Sequence, residues 1–117
     1  MIKYEIELID ITNKIIPKKY PELIQVEALF RIVINGMVFF EEPNFPVYEF
    51  LHAVKKWINK QEKEKFEYIS VETEDNPLIC FLYENGGWII NSPWQLFECR
   101  YKFTREELIN AINEIKI

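Results

Sequence analysis

The chain has 117 residues, 49% of them apolar and 28% charged, with 19 acidic against 14 basic side chains and a formal net charge of −5. That size and balance exclude a disordered tail, a coiled coil and a collagen-like chain, and predict a single domain over residues 1–117. A net negative surface argues against duplex nucleic acid, whose binding rests on basic patches, and favours encounter with a basic partner.

Residues 2–8 alternate, with Ile2, Tyr4, Ile6 and Leu8 opposite Lys3, Glu5 and Glu7, the period of a half-buried strand. The parity flips near Ile9, and residues 13–21 carry Lys14, Lys18, Lys19, Pro17 and Pro21, which reads as a loop. A second strand is expected over residues 23–34. Asn35-Gly36 comes next, then Met37-Val38-Phe39-Phe40. Asn-Gly between apolar runs predicts a two-residue hairpin, because both central residues of that turn need positive φ. In simple register Ile32 faces Phe39 on the core side and Arg31 faces Phe40 on the outer side.

Over residues 45–64, Val47, Phe50, Leu51, Val54, Trp57 and Ile58 recur at three and four, which predicts an amphipathic helix with Pro46 in its first turn. Four short strands should come after it, at residues 66–73, 78–83, 88–91 and 96–103, joined by turns at Glu74-Asp75-Asn76-Pro77 and Asn85-Gly86-Gly87. In the last of them Phe97, Cys99, Tyr101 and Phe103 alternate with Glu98, Arg100 and Lys102. Thr104-Arg105-Glu106-Glu107 is a capping box, with Phe103 and Leu108 as its hydrophobic staple. The expected fold class is α+β: one antiparallel sheet in the order βββ-α-ββββ-α, with both helices packed on one face.

Catalytic signals fail on context. His52 is the only histidine, and no Ser or Cys pairs with it in a recognisable triad pattern. Cys80 and Cys99 lack CxxC spacing; they read as free, reduced and buried in apolar strands. Glu106-Glu107 belongs to a helix cap, and Glu72 and Glu74 flank a turn without the glycine and closing glutamate of a calcium loop. Asn85-Gly86-Gly87 precedes a strand, so it is a turn and no phosphate cradle. The chain is therefore expected to be no enzyme and to hold no cofactor or metal. No apolar run nears the ~20 residues of a membrane span, and residues 1–5 do not resemble a signal peptide. The expected location is the cytoplasm.

The surplus is aromatic, at 15% of residues. Four aromatics, Phe40, Tyr48, Tyr83 and Trp94, do not all fit a core under these face assignments, and surplus surface aromatics mark a binding module. Two surfaces are candidates, with the Lys14-Lys18-Lys19 loop as a further alternative. One combines Arg31 and Phe40 on the outer face of the first hairpin with Trp94 in the Ser92-Pro93-Trp94-Gln95 loop, aromatic and arginine types being those enriched at hot spots. The other is the strip of Tyr48, His52, Lys55 and Asn59 opposite the helix's apolar stripe, which a solvated polar face also explains.

In size and organisation the chain resembles the small acidic α+β immunity proteins of bacterial toxin systems. The Asn35-Gly36 hairpin, the helix from Val47 to Ile58, and the aromatic-rich meander with Gly87-Trp88 and Ser92-Pro93-Trp94-Gln95 carry the resemblance. It is also similar to uncharacterised proteins of low-GC Gram-positive bacteria. The resemblance implies a cytoplasmic protein that neutralises a toxin or effector by binding it, without catalysis. Two other readings stand beside it: a phage or host inhibitor of a defence or regulatory protein, and a small-ligand binder or enzyme using the open sheet face.

Overall fold

Two separate sheets, rather than one, organise the chain. The computed structural model describes residues 2–7, 27–61, 63–70 and 73–115. Its first sheet has the order β1 (Ile2–Glu7), β2 (Ala28–Ile34), β3 (Met37–Phe45), and its second the order β4 (Phe66–Tyr68), β5 (Ile79–Glu84), β6 (Gly87–Asn91). All four strand pairings are antiparallel. Helix α1 (Val47–Ile58) links the sheets and α2 (Arg105–Asn113) ends the described chain. The α+β class is as the sequence implies, whereas the single seven-stranded sheet is not. The loop over residues 13–21, the parity flip near Ile9 and residues 23–26 of the expected second strand lie outside the described residues.

The missing seventh strand explains the division. Residues 96–103 form no strand, and they are held mainly at their ends. Leu96 N–H donates to the Phe39 carbonyl of β3 at 2.8 Å, while Trp88 and Phe103 exchange both backbone bonds at 2.8 Å beside β6. The segment thus ties an edge of one sheet to an edge of the other. Its alternation survives only in part: Cys99 and Phe103 are buried and Glu98, Arg100 and Lys102 exposed, but Tyr101, expected on the inner side, is 42% exposed. Period two reports which side of a chain is covered, and a ladder needs in addition a neighbouring edge along its length.

Helix α1 spans both sheets. Val47, Phe50, Leu51, Val54 and Trp57 are its buried stripe. The Phe50 ring lies 5.3 Å from Phe30 and 5.6 Å from Phe45 in the first sheet, and 5.9 Å from Phe66 and 5.7 Å from Tyr68 in the second. Trp57 packs edge-on to Phe81 and Trp88 at 5.4 and 5.3 Å. Each fully buried ring of this kind contributes roughly 1.5–3 kcal/mol over leaving it in water. The helix stops at Ile58, short of residue 64, where tertiary contacts replace the next turn. Trp57 Nε1–H donates to the Glu64 carbonyl at 2.6 Å, and Arg105 donates to the Ile58 carbonyl at 2.9 Å while its guanidinium lies 4.9 Å from the Trp57 ring. That arginine joins the start of α2 to the end of α1. The capping box forms as read: Glu107 N–H donates to Thr104 Oγ1 at 3.0 Å and Thr104 N–H to Glu107 Oε1 at 3.1 Å.

Candidate interaction surface

The first hairpin turns at Asn35-Gly36, both with positive φ, and pairs Ile34 with Met37 and Val33 with Val38. One residue then drops out of register. Ile32 faces Phe40 and Arg31 faces Glu41, so Phe39 is the extra residue of a β-bulge. The bulge corrects the expected outer pair of Arg31 and Phe40. Phe40 turns into the core at 0% exposure, 5.8 Å from the Phe45 ring. Arg31 stays on the outer face, its Nε 3.2 Å from the Glu41 carboxylate. Phe39 is also fully buried, under the ring of Phe97 at 5.4 Å. The Leu96 N–H that meets its carbonyl satisfies a group the bulge withdraws from the ladder.

Trp94 lies against Phe40, but on the core side. Its half-buried ring is parallel to that of Phe40 within 9°, with centroids 6.4 Å apart. Trp94 is therefore part plug and part surface. Its indole N–H donates to Asp75 Oδ2 at 2.8 Å, joining the loop after β6 to the turn before β5.

Side chains brace each of these two segments internally. In the turn, Asn76 Oδ1 accepts from Ser70 N–H at 2.9 Å, and its Nδ2 donates to the Ser70 and Thr73 carbonyls at 2.9 and 2.7 Å. In the loop, Trp94 N–H donates to Ser92 Oγ at 3.0 Å and Ser92 N–H donates to Gln95 Oε1 at 3.0 Å. These local side-chain bonds do for a loop what a ladder does for a strand. Between the segments opens a groove of about 460 Å³, with Glu74, Asp75 and Pro77 on one wall and Asn91 and Pro93 on the other. Cys80 lies at its base, buried, and desolvation pushes its thiol up to about 11, with the Glu67 carboxylate adding to the shift. Beyond Trp94 the loop presents Leu96, 66% exposed.

The helix strip lies elsewhere, on the side of α1 turned away from the sheets. Tyr48 and His52 are half-buried, and Lys55 is exposed beside Asn59, whose side chain donates to the Lys55 carbonyl at 3.3 Å. Tyr48 leans on the core, and burial raises its phenol. The structure thus brings Phe40 and Trp94 together and leaves Arg31 and the Tyr48-His52-Lys55 strip on other surfaces. Sequence reading overlooked the groove and the exposed Leu96. The turn at residues 74–77 was legible as a turn, but nothing local announces a bond between residues 75 and 94.

A family model described as "Domain of unknown function (DUF7878)" matches residues 2–116. The chain belongs to the DUF7878 family. No curated protein and no solved structure matches it. In this DUF7878 domain the groove offers two carboxylates, two carboxamides and two proline rings, and burial raises the pKa of the Cys80 thiol that lines it. Among the described residues, no group of three or more His, Cys, Asp or Glu could hold a metal ion, and no helix is long and apolar enough to cross a membrane. The groups on this DUF7878 surface could meet cations and hydrogen-bond donors in the groove, and apolar side chains on Trp94 and Leu96.

Proposed function

We propose that this chain is a non-catalytic protein-binding module of the immunity or antitoxin type, which neutralises a basic toxin or effector by occupying its surface. The observation that carries this reading is the braced loop pair. A half-exposed Trp94 is fixed from beneath by Phe40 and at its edge by Asp75, with Leu96 standing 66% exposed beside it. Pre-set aromatic and apolar anchors of this kind bind at low entropic cost, because little is left to order on contact. Two buried free thiols suit a cytoplasmic location. A phage or host inhibitor of a defence protein would use the same surface and differ only in its target.

The groove itself favours a second reading, a small-ligand binder, since about 460 Å³ lies within the range of ligand sites. Its openness to solvent weighs against that reading, because small-ligand sites enclose most of their ligand. The test is recovery of the partner from producing cells, identification by mass spectrometry, and calorimetric titration of the purified pair. Saturable binding of one protein supports the module. Recovery of a low-molecular-weight ligand, with no protein, supports the second reading.

A further inference from the structure

The geometry points to the groove between residues 74–77 and 91–93 as the seat of a cationic side chain, an arginine or lysine on a segment of the protein partner whose apolar neighbour rests on Trp94 and Leu96. This rests on the protein-binding reading and adds the chemistry of the contact.

Charge carries the argument. Among the described residues, six carboxylates, those of Glu5, Glu41, Glu64, Glu67, Glu84 and Glu98, have a lysine or arginine of this chain within 4.0 Å. Glu74 and Asp75 are exposed and line the groove, and among the described residues no lysine or arginine lines it. Four lysines of the described residues lie away from the groove. Lys55 and Lys56 occupy the last turn of α1, and Lys63 and Lys102 sit at the far end of β5, over Tyr83 and against Glu84. Cys80, at the start of β5, lines the groove; the lysine that acts on its thiol, Lys65, is paired with Glu67 at 3.5 Å. On a chain of net charge −5 the groove attracts a cation.

Geometry narrows the occupant. The groove is large enough for a long side chain and open enough to admit one that stays attached to a backbone. The Pro77 and Pro93 rings on its walls suit the aliphatic stem of Arg or Lys. Asp75 is held in place by the Trp94 indole N–H, so one carboxylate is oriented before anything arrives. A guanidinium seated there could set its fork on one carboxylate with the second carboxylate beside it.

The Trp94 indole N–H, which already bonds Asp75, is the reporter, and loss of its signal in Trp94→Phe assigns it. The probe is the synthetic tripeptide acetyl-Leu-Arg-Leu-amide, titrated into the full chain and monitored by proton–nitrogen NMR. Its control is the same peptide with citrulline, which keeps the shape of arginine and removes the charge. The expected result is a saturable shift of the Trp94 signal, about tenfold weaker for the citrulline peptide and, with the arginine peptide, about tenfold weaker in Glu74→Gln. Equal response to the two peptides, or shifts that leave Trp94 unmoved, would overturn the assignment. Titrating the recovered protein partner separates the two proposals. Native affinity in the Glu74→Gln, Asp75→Asn double variant sinks the cationic contact and spares the binding module, whereas failure to find any protein partner sinks both.

Discussion

Asn35-Gly36 and Asn85-Gly86 turn the chain with nearly the same backbone, φ 51° and 81° in the first hairpin and 50° and 83° in the second, yet the strands they launch behave differently. After Asn85-Gly86 the register runs without interruption from Glu84 opposite Gly87 to Cys80 opposite Asn91. Alternation then places Phe81, Trp88 and Ile90 in the core and leaves Leu82 and Ile89 half-buried on the other face. After Asn35-Gly36 the register holds for two pairs and breaks at Phe39. A turn motif fixes only its own few dihedrals, and the path of the next strand depends on whether that strand has a face to choose. Met37-Val38-Phe39-Phe40 offers no alternation to pin it, and the bulge lets both phenylalanines leave water.

The comparison can be broken most forcefully at Phe40. If the bulge turns it inward as described, Phe40→Ala should cost about 3–5 kcal/mol in urea unfolding, the cost of a large core cavity. A loss below about 1 kcal/mol would place the ring on the surface and restore simple register. Glycines sharpen the contrast at the turns. A Cβ on Gly87 would stand 2.7 Å from Lys102 Cβ, whereas one on Gly36 would meet nothing within 4 Å, and only its positive φ would resist. Gly87→Ala should therefore lose about 1–3 kcal/mol through overpacking. Gly36→Ala should lose about 1 kcal/mol through backbone strain. A Gly87→Ala loss well below that of Gly36→Ala would mean that residues 96–103 do not press on the second hairpin.

Cys80 gives a gentler test of the regular strand. Its thiol pKa is raised to about 11 in the folded protein, from 9.0, chiefly by burial. Between those values the unfolded chain releases its proton and the folded one keeps it. Stability from this group is thus complete below about pH 9 and falls as pH rises towards 11. The thermal midpoint of the native protein should decline through that window more steeply than that of Cys80→Ala. Parallel declines would mean that the thiol is not sequestered. The smallest effect belongs to Arg31. Its pair with Glu41 is partly exposed, so Arg31→Ala should change stability by at most about 0.5 kcal/mol. A loss several times larger would return it to a structural role.

Legibility in the sequence tracked the range of the interactions. The capping box needs only Thr104 and Glu107, three residues apart, and it formed as read. The α1 stripe was equally plain, since Val47, Phe50, Leu51, Val54 and Trp57 lie within a dozen residues. The end of that helix was not, because it is fixed by Arg105, 47 residues away. Residues 96–103 alternate like a strand, but whether an edge was available to them depended on β3 and β6 together. The candidate surface fared likewise. Trp94 was visible as an aromatic in a loop, while its support by Phe40 and its bond to Asp75, 19 residues earlier, exist only in three dimensions.

The loop after β6 is, on this reading, a binding surface resting on the core. Leu96 separates those roles most cleanly, being 66% exposed and tied to β3 by a backbone hydrogen bond that a side-chain change leaves in place. The direct measurement is calorimetric affinity of Leu96→Arg for the protein partner recovered from producing cells, alongside its urea midpoint. A cation placed there opposes a basic partner without opening a cavity. The expected result is an unchanged midpoint and an affinity weaker by about tenfold or more. Native affinity at an unchanged midpoint would contradict the binding role of this loop.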